Sequence, residues 1–128
     1  MKSVAFVFPG QGSQSVGMCN SIESELFTVK NRFETGSDML GINLWQLIQE
    51  GPKEKLNQTQ YTQPAMLAIN VAFFDLWEKY GGRKAKIMAG HSLGEYAALV
   101  CANILDYEAA MSLVINRGKL MQEAVPKG

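Results

Sequence analysis

The sequence predicts an α/β fold built on a parallel sheet, and three observations carry that expectation. Ser3 to Phe8 is a short apolar run with β-branched and aromatic residues, as a buried strand requires, and Ile87-Met88-Ala89 is a second short apolar run. A long helical pattern lies between them, so the two strands are joined by a crossover and pair in parallel. The second run then passes through Gly90-His91-Ser92-Leu93-Gly94-Glu95 straight into a helix of small residues. Two parallel strands do not by themselves make a sheet covered on both faces. The expected architecture is therefore the front part of a larger sheet with helices on both faces, incomplete here and mostly helical.

Taken in order, the first strand ends at Pro9-Gly10-Gln11-Gly12-Ser13-Gln14, a loop tight enough to need its glycines. It is not a phosphate loop. A dinucleotide fingerprint would place a third glycine where Ser15 stands, and a P-loop would place Lys and Ser/Thr where Met18 and Cys19 stand. Residues 21 to 60 read as short helices, with Leu26, Val29, Phe33 and Leu40 at rough helical spacing. Asn43 is positioned to cap Leu44-Trp45-Gln46-Leu47-Ile48, and Gly51-Pro52 stops that helix. The next helix is predicted from Pro64, a residue suited to the first helical position, to Tyr80, where Gly81-Gly82 ends it. It is apolar on most faces, which marks it as buried. The helix after the serine turn is expected to run to about Asn103. Asp106 is placed to cap a last helix to about Val125, closed by Pro126.

At 128 residues and 14.1 kDa this is one domain or a piece of one. Twelve basic residues balance twelve acidic ones with no basic stripe, which removes the electrostatic basis for sequence-independent nucleic-acid binding. Cys19 lies in a polar stretch and Cys101 in an apolar helix, so a disulfide is not expected and a reducing cytoplasm is. Val4 to Phe8 is too short for a signal-peptide core, and Ala65 to Trp77 is broken by Asn70 and Asp75, so no membrane span is expected. Met1, two residues before the first strand, suggests a free-standing protein and not an internal module.

The chemistry concentrates at Ser92. Strand, G-x-S-x-G and helix together form the context of a nucleophile elbow, in which a sharp turn lifts the serine hydroxyl clear of the backbone. The helix behind it points its free N–H groups at that hydroxyl. The competing reading is that Ser92-Leu93-Gly94-Glu95 is a capping box at an ordinary helix start. Gln11 follows the first strand at the same sheet end as the elbow, where parallel sheets form sites. Its backbone N–H is a candidate oxyanion donor beside that of Leu93; an ordinary strand-to-helix turn is the alternative. Gln63 either contributes to the site or caps its helix.

Arg117 falls within a stripe of Ala110, Leu113, Val114, Met121 and Ala124, with Glu108, Ser112, Asn116, Lys119 and Glu123 opposite. A guanidinium facing a core needs a partner. A structural ion pair, a bound substrate carboxylate and an arginine that reaches back to solvent are all open. His91, the single histidine, is a poor base for Ser92, because neighbouring side chains at an elbow diverge.

Phe8-Pro9-Gly10-Gln11-Gly12-Ser13-Gln14, Thr62-Gln63-Pro64, Gly90-His91-Ser92-Leu93-Gly94-Glu95 and Arg117-Gly118, read together, resemble the malonyl-CoA:acyl carrier protein transacylases of bacterial fatty-acid synthesis and the related acyltransferase domains of polyketide synthases. The resemblance spans the whole chain and implies that residues 1–128 are the N-terminal part of a larger hydrolase-like subdomain. A smaller ferredoxin-like subdomain would begin soon after. It implies that Ser92 carries the malonyl group as an ester, that Gln11 and Leu93 form the oxyanion hole, that Arg117 grips the malonyl carboxylate and that Gln63 lines the site. It implies malonyl-CoA and acyl carrier protein as partners, with phosphopantetheine carried by the latter, and no metal or cofactor, nucleic acid or membrane. The family's catalytic histidine has no counterpart here, so the isolated chain is expected to be inactive. A serine esterase or thioesterase with the same elbow, and a non-catalytic module in which Ser92 only caps a helix, are the rivals.

Overall fold

The computed structural model describes residues 3–124. Strand β1 (Val4–Phe8) leads through a glycine-rich loop and a short 3-10 helix (Asn20–Glu25) into α1 (Leu26–Leu40), α2 (Leu44–Glu50), α3 (Lys53–Leu56) and α4 (Thr59–Lys79). Strand β2 (Ala85–Gly90), α5 (Gly94–Cys101) and α6 (Tyr107–Ala124) complete the described chain. The strands pair in parallel, with Phe6 opposite Met88 and Phe8 opposite Gly90. The α/β class, the crossover and the largely helical content are therefore as the sequence predicts. Val125 and Pro126, expected to close the last helix, lie outside the described residues.

Helix α4 is the axis of the fold. It packs chiefly against α6 and α1, and Ala65, Met66, Leu67, Ala68, Val71 and Ala72 leave almost no surface exposed on any side. Helix α1 is tied to α4 by a bidentate pair, Arg32 Nε donating to Asp75 at 2.7 Å and Nη2 at 3.1 Å. The Tyr107 hydroxyl at the start of α6 donates to the Arg32 carbonyl at 2.7 Å, so all three helices meet there.

One sheet face is covered. Phe6 and Phe8 pack on Phe74, with ring centroids 5.2 and 6.5 Å away, and Phe6 also meets Trp77 edge-on. The other face carries Ala5, Val7, Ile87 and Ala89, all exposed, with Val7 at 74% and Ile87 at 62%. A parallel sheet is ordinarily buried on both sides. Among the described residues, the helices expected on the second face are not present.

Several local expectations are corrected. Helix α4 begins at Thr59 and not at Pro64, which sits in its second turn. The extra turn is held by the Thr62 hydroxyl, which is shared between the carbonyls of Leu56 and Gln58, and by burial of Thr62 and Gln63. These outweigh the hydrogen bond that proline forgoes. Gln63 is thus inside the helix and does not cap it. Cys19 is fully buried despite its polar neighbours, its N–H bonded to Gln49 Oε1 at 3.1 Å; both cysteines are free thiols. Helix α6 is buried along Tyr107, Ala110, Met111, Val114, Ile115 and Gly118. Leu113 is 49% exposed, so the stripe is rotated from the expected one and Arg117 stands at its edge, half-buried. The caps hold: Asn43 Oδ1 accepts from Gln46 N–H at 3.0 Å and Asp106 Oδ2 from Ala109 N–H at 3.3 Å.

Candidate active site

The site forms where the ends of β1 and β2 meet the starts of α4 and α5 and the middle of α6. Its centre is the turn between β2 and α5. Ser92 has φ +55°, a left-handed conformation uncommon for a residue with a side chain. The flanking glycines allow that turn to close. A Cβ on Gly90 would lie 2.0 Å from the Gly94 carbonyl, and one on Gly94 would lie 2.0 Å from the Phe8 carbonyl oxygen. Neither position admits a side chain without moving backbone, so the pattern is dictated by close packing of turn, helix and strand.

The capping-box reading is not what the structure shows. Leu93 precedes α5 and no side chain caps it; Glu95 N–H bonds to the backbone carbonyl of Ser92, not to its hydroxyl. The hydroxyl instead accepts a hydrogen bond from Arg117 Nη2 at 3.0 Å. Ser92 and His91 are both exposed, and among the described residues the hydrogen-bond partner of the Ser92 side chain is Arg117, not His91.

Arg117 reaches the turn across the α4–α6 contact. Gly118 permits the approach, since a Cβ there would lie 3.1 Å from Gln60 Cα and from the Thr59 carbonyl oxygen. The guanidinium donates through Nη1 to Gln63 Oε1 at 2.5 Å. It also stands 5.8 Å from the centroid of the Tyr96 ring. The ion pairs found among the described residues, Arg32 with Asp75 and Lys79 with Glu25, lie elsewhere. Arg117 is therefore not in the structural ion pair that the sequence left open: its partners are two neutral oxygens.

The loop after β1 closes the other side. Gln63 Nε2 donates to Gln11 Oε1 at 3.1 Å, and Gln11 Nε2 donates to Thr59 Oγ1 at 2.9 Å. Asn70 Nδ2 holds the Pro9 carbonyl at 3.0 Å. A Cβ on Gly10 would lie 2.7 Å from the His91 carbonyl oxygen, so this loop crosses directly over the elbow. Among the described residues, the turn and loop backbone bonds use neither the Gln11 nor the Leu93 N–H.

All five sequence candidates thus gather around one point. Gln11, Gln63, Arg117 and Ser92 form a continuous hydrogen-bonded line, and Leu93 lies beside the serine. Thr59, Asn70 and Tyr96 belong to the same arrangement and were missed. Asn70 carried a readable signal as a polar residue in an apolar helix; Thr59 and Tyr96 carried none.

The sequence and the fold are both shared with known proteins. The family model described as acyl transferase domain matches residues 5–128. The malonyl CoA-acyl carrier protein transacylase of Haemophilus influenzae is 56% identical over the whole of this chain, which spans 41% of that relative's length. The solved malonyl CoA-acyl carrier protein transacylase of Coxiella burnetii superposes with a TM-score of 0.93 at 55% identity, over 99% of this chain and 40% of that one. A malonyl-transacylase solved in complex with a type II polyketide synthase acyl-carrier protein gives a TM-score of 0.92 at 53% identity, covering 99% and 41%.

Proposed function

The chain belongs to the acyl transferase domain family, and from that premise we propose that it is the nucleophile-bearing part of a malonyl transferase of fatty-acid biosynthesis. In this reading Ser92 takes the malonyl group from malonyl-CoA and passes it to the pantetheine thiol of acyl carrier protein. The observation that carries the reading is the pairing of a left-handed serine with a guanidinium whose partners among the described residues include no carboxylate. An esterase acting on an apolar acyl group has no use for that guanidinium. A thioester bearing a free carboxylate does.

The Ser92 oxygen attacks the thioester carbonyl, the Oγ–C bond forming as the C–S bond breaks and the thiol of coenzyme A departs with a proton. The carbonyl oxygen becomes negative in the transition state, and the Leu93 and Gln11 N–H groups are the donors that face it. The start of α5 adds its dipole in the same direction. Gln63 holds one edge of the Arg117 guanidinium, and the other edge, which includes Nη2, receives the malonyl carboxylate. Gln63 lines the site and holds the guanidinium. The pantetheine thiol then attacks the ester and regenerates Ser92, completing a ping-pong cycle.

The proton from Ser92 needs a base within hydrogen-bond reach. His91 does not fill that role, so we assign it to a histidine of the parent polypeptide outside these residues; residues 1–128 alone are then inactive. In this reading no cofactor is required and the reaction runs in the cytoplasm, where bacterial fatty-acid synthesis draws on malonyl-CoA. Similarity to the transacylase bound to a polyketide carrier supports a second reading, in which the same chemistry loads a polyketide synthase carrier.

The test is intact-mass spectrometry of the full-length protein mixed with malonyl-CoA. One malonyl adduct is expected, absent in Ser92→Ala and discharged by acyl carrier protein. An adduct that persists in Ser92→Ala refutes the nucleophile, and discharge as free acid with no carrier product establishes a hydrolase instead.

A further inference from the structure

Resting on that reading, we propose that Arg117 is also a latch on the nucleophile. Without substrate it holds the Ser92 hydroxyl, and the free carboxylate of an incoming acyl group draws it off. The latch makes the acyl group's own charge a condition for attack.

The hydrogen-bond polarity of the site shows how the latch is mounted. A guanidinium only donates. Gln63 must therefore turn its oxygen to Arg117 and its nitrogen to Gln11, and Gln11 its nitrogen to the Thr59 hydroxyl, as observed at 3.1 and 2.9 Å. Gln63 is fully buried, so the Nη1 side of the guanidinium is anchored to a fixed acceptor. The Nη2 side is not anchored in this way. It rests on a hydroxyl at the exposed end of the site, 3.0 Å away.

That hydroxyl is a poor competitor. A hydrogen bond from a guanidinium to a carboxylate joins two ions and is about twice as strong as a neutral one. The malonyl carboxylate lies one methylene beyond the reacting carbonyl, so docking that carbonyl against Ser92 brings it into the neighbourhood of Nη2 before any bond forms. The transfer keeps the Nη1 contact with Gln63 and moves only the Nη2 edge. While latched, the Ser92 oxygen has one of its two lone pairs occupied and its charge drawn toward a cation. Both effects oppose attack on a carbonyl. An uncharged acyl group brings no acceptor and meets a nucleophile that stays latched, so discrimination is exerted on the chemical step as well as on binding.

The experiment divides the malonyl group into two pieces. The full-length protein is mixed with acetyl-CoA, and acetylation of Ser92 is followed by intact mass in sodium formate and in sodium chloride of equal ionic strength. The Oγ–C bond forms as the thioester C–S bond breaks, and the hydroxyl proton passes through the base to the released thiol. Formate supplies the missing carboxylate and is expected to accelerate acetylation about three- to tenfold, by depleting the latched population in that proportion. Arg117→Ala is expected to acetylate faster than the unaltered protein and to ignore formate. Acetylation of the unaltered protein that is slowed or unmoved by formate overturns the latch; this arm needs no variant. Slower acetylation by a folded Arg117→Ala protein overturns it as well. Failure of the unaltered protein to take up malonyl from malonyl-CoA would instead sink the transfer reading itself.

Discussion

Replacing Gln63 by Glu changes the charge of the site while keeping its shape. The new carboxylate occupies the volume of the buried amide and still accepts from Arg117, as the Gln63 oxygen does at 2.5 Å. The Gln11 amide can turn to donate to it and accept from the Thr59 hydroxyl in exchange, so every partner in the line remains satisfied. The fold should therefore survive, with an unchanged or raised melting temperature. Substrate binding should not. A malonyl carboxylate on the opposite edge of the guanidinium would stand about 6 Å from the new charge, a repulsion of about 3 kcal/mol at an effective dielectric constant near 20. Arg117 is half-buried, and solvent and salt at its open side reduce that to about 1–2 kcal/mol, or roughly a five- to thirtyfold loss in kcat/KM. The assay is transfer from malonyl-CoA to acyl carrier protein at two ionic strengths, the loss shrinking as salt is added. A folded Gln63→Glu protein with kcat/KM for malonyl-CoA unchanged would refute the claim that Arg117 receives the substrate carboxylate.

Gly94→Ala places a Cβ 2.0 Å from the Phe8 carbonyl oxygen, and opening that contact by about 1 Å is overpacking that costs about 1–3 kcal/mol. Because the displaced element carries the nucleophile, malonyl uptake should fall about a hundredfold together with the melting temperature; a fully stable, fully active variant would contradict the packing account. Burial pushes the Cys19 thiol up to about 11 and, with Asp75 adding to it, the Cys101 thiol up to about 12, from an ordinary value of 9.0. Native protein at pH 8 should accordingly react slowly with a thiol reagent and quickly once unfolded. The sign for stability follows: the unfolded chain releases these protons first, so their contribution is intact below pH 9 and is lost as pH rises toward 11 and 12. Melting temperatures measured across that range test it, and a flat profile would count against burial of the thiols.

The parts of this molecule that could be read from its sequence are those whose cause is local. The elbow is legible because its glycines and serine stand together in one short pattern and Gly90 is demanded by a contact within the turn, although the contact that demands Gly94 is with Phe8 of β1. The Asn43 and Asp106 caps are legible because the acceptor and the N–H it serves are three residues apart. Where burial is decided by distant packing, the reading slipped. Cys19 sits among polar neighbours and is buried by the fold. The turn from Thr59 to Gln63 shows no apolar periodicity and is helical because Thr62 and Gln63 are enclosed. The phase of α6 went astray for a specific reason: Ala110 and Val114 belong to both candidate stripes, and the residue that should have decided between them is Gly118. A glycine adds nothing to a hydrophobic count, yet the approach here is close: a Cβ would lie 3.1 Å from the α4 backbone.

That same approach explains why the candidates could be named while their connections could not. The line from Ser92 to Thr59 joins residues 25, 54, 52 and 48 positions apart, so no periodicity links them. Each was conspicuous by itself, as a serine between glycines, an arginine within an apolar stripe or a glutamine just before a buried helix. What sets their pairing is the depth at which α6 lies against α4, and Gly118 permits that depth, since a Cβ there would lie 3.1 Å from Gln60 Cα. Had α6 packed through Leu113, as the miscounted stripe implied, the helix would be turned about its axis and Arg117 would sit within the contact. The actual phase leaves Arg117 at the rim, with one edge on a buried amide and the other on the nucleophile. The half-burial that makes it a poor core residue is what makes it available to a substrate.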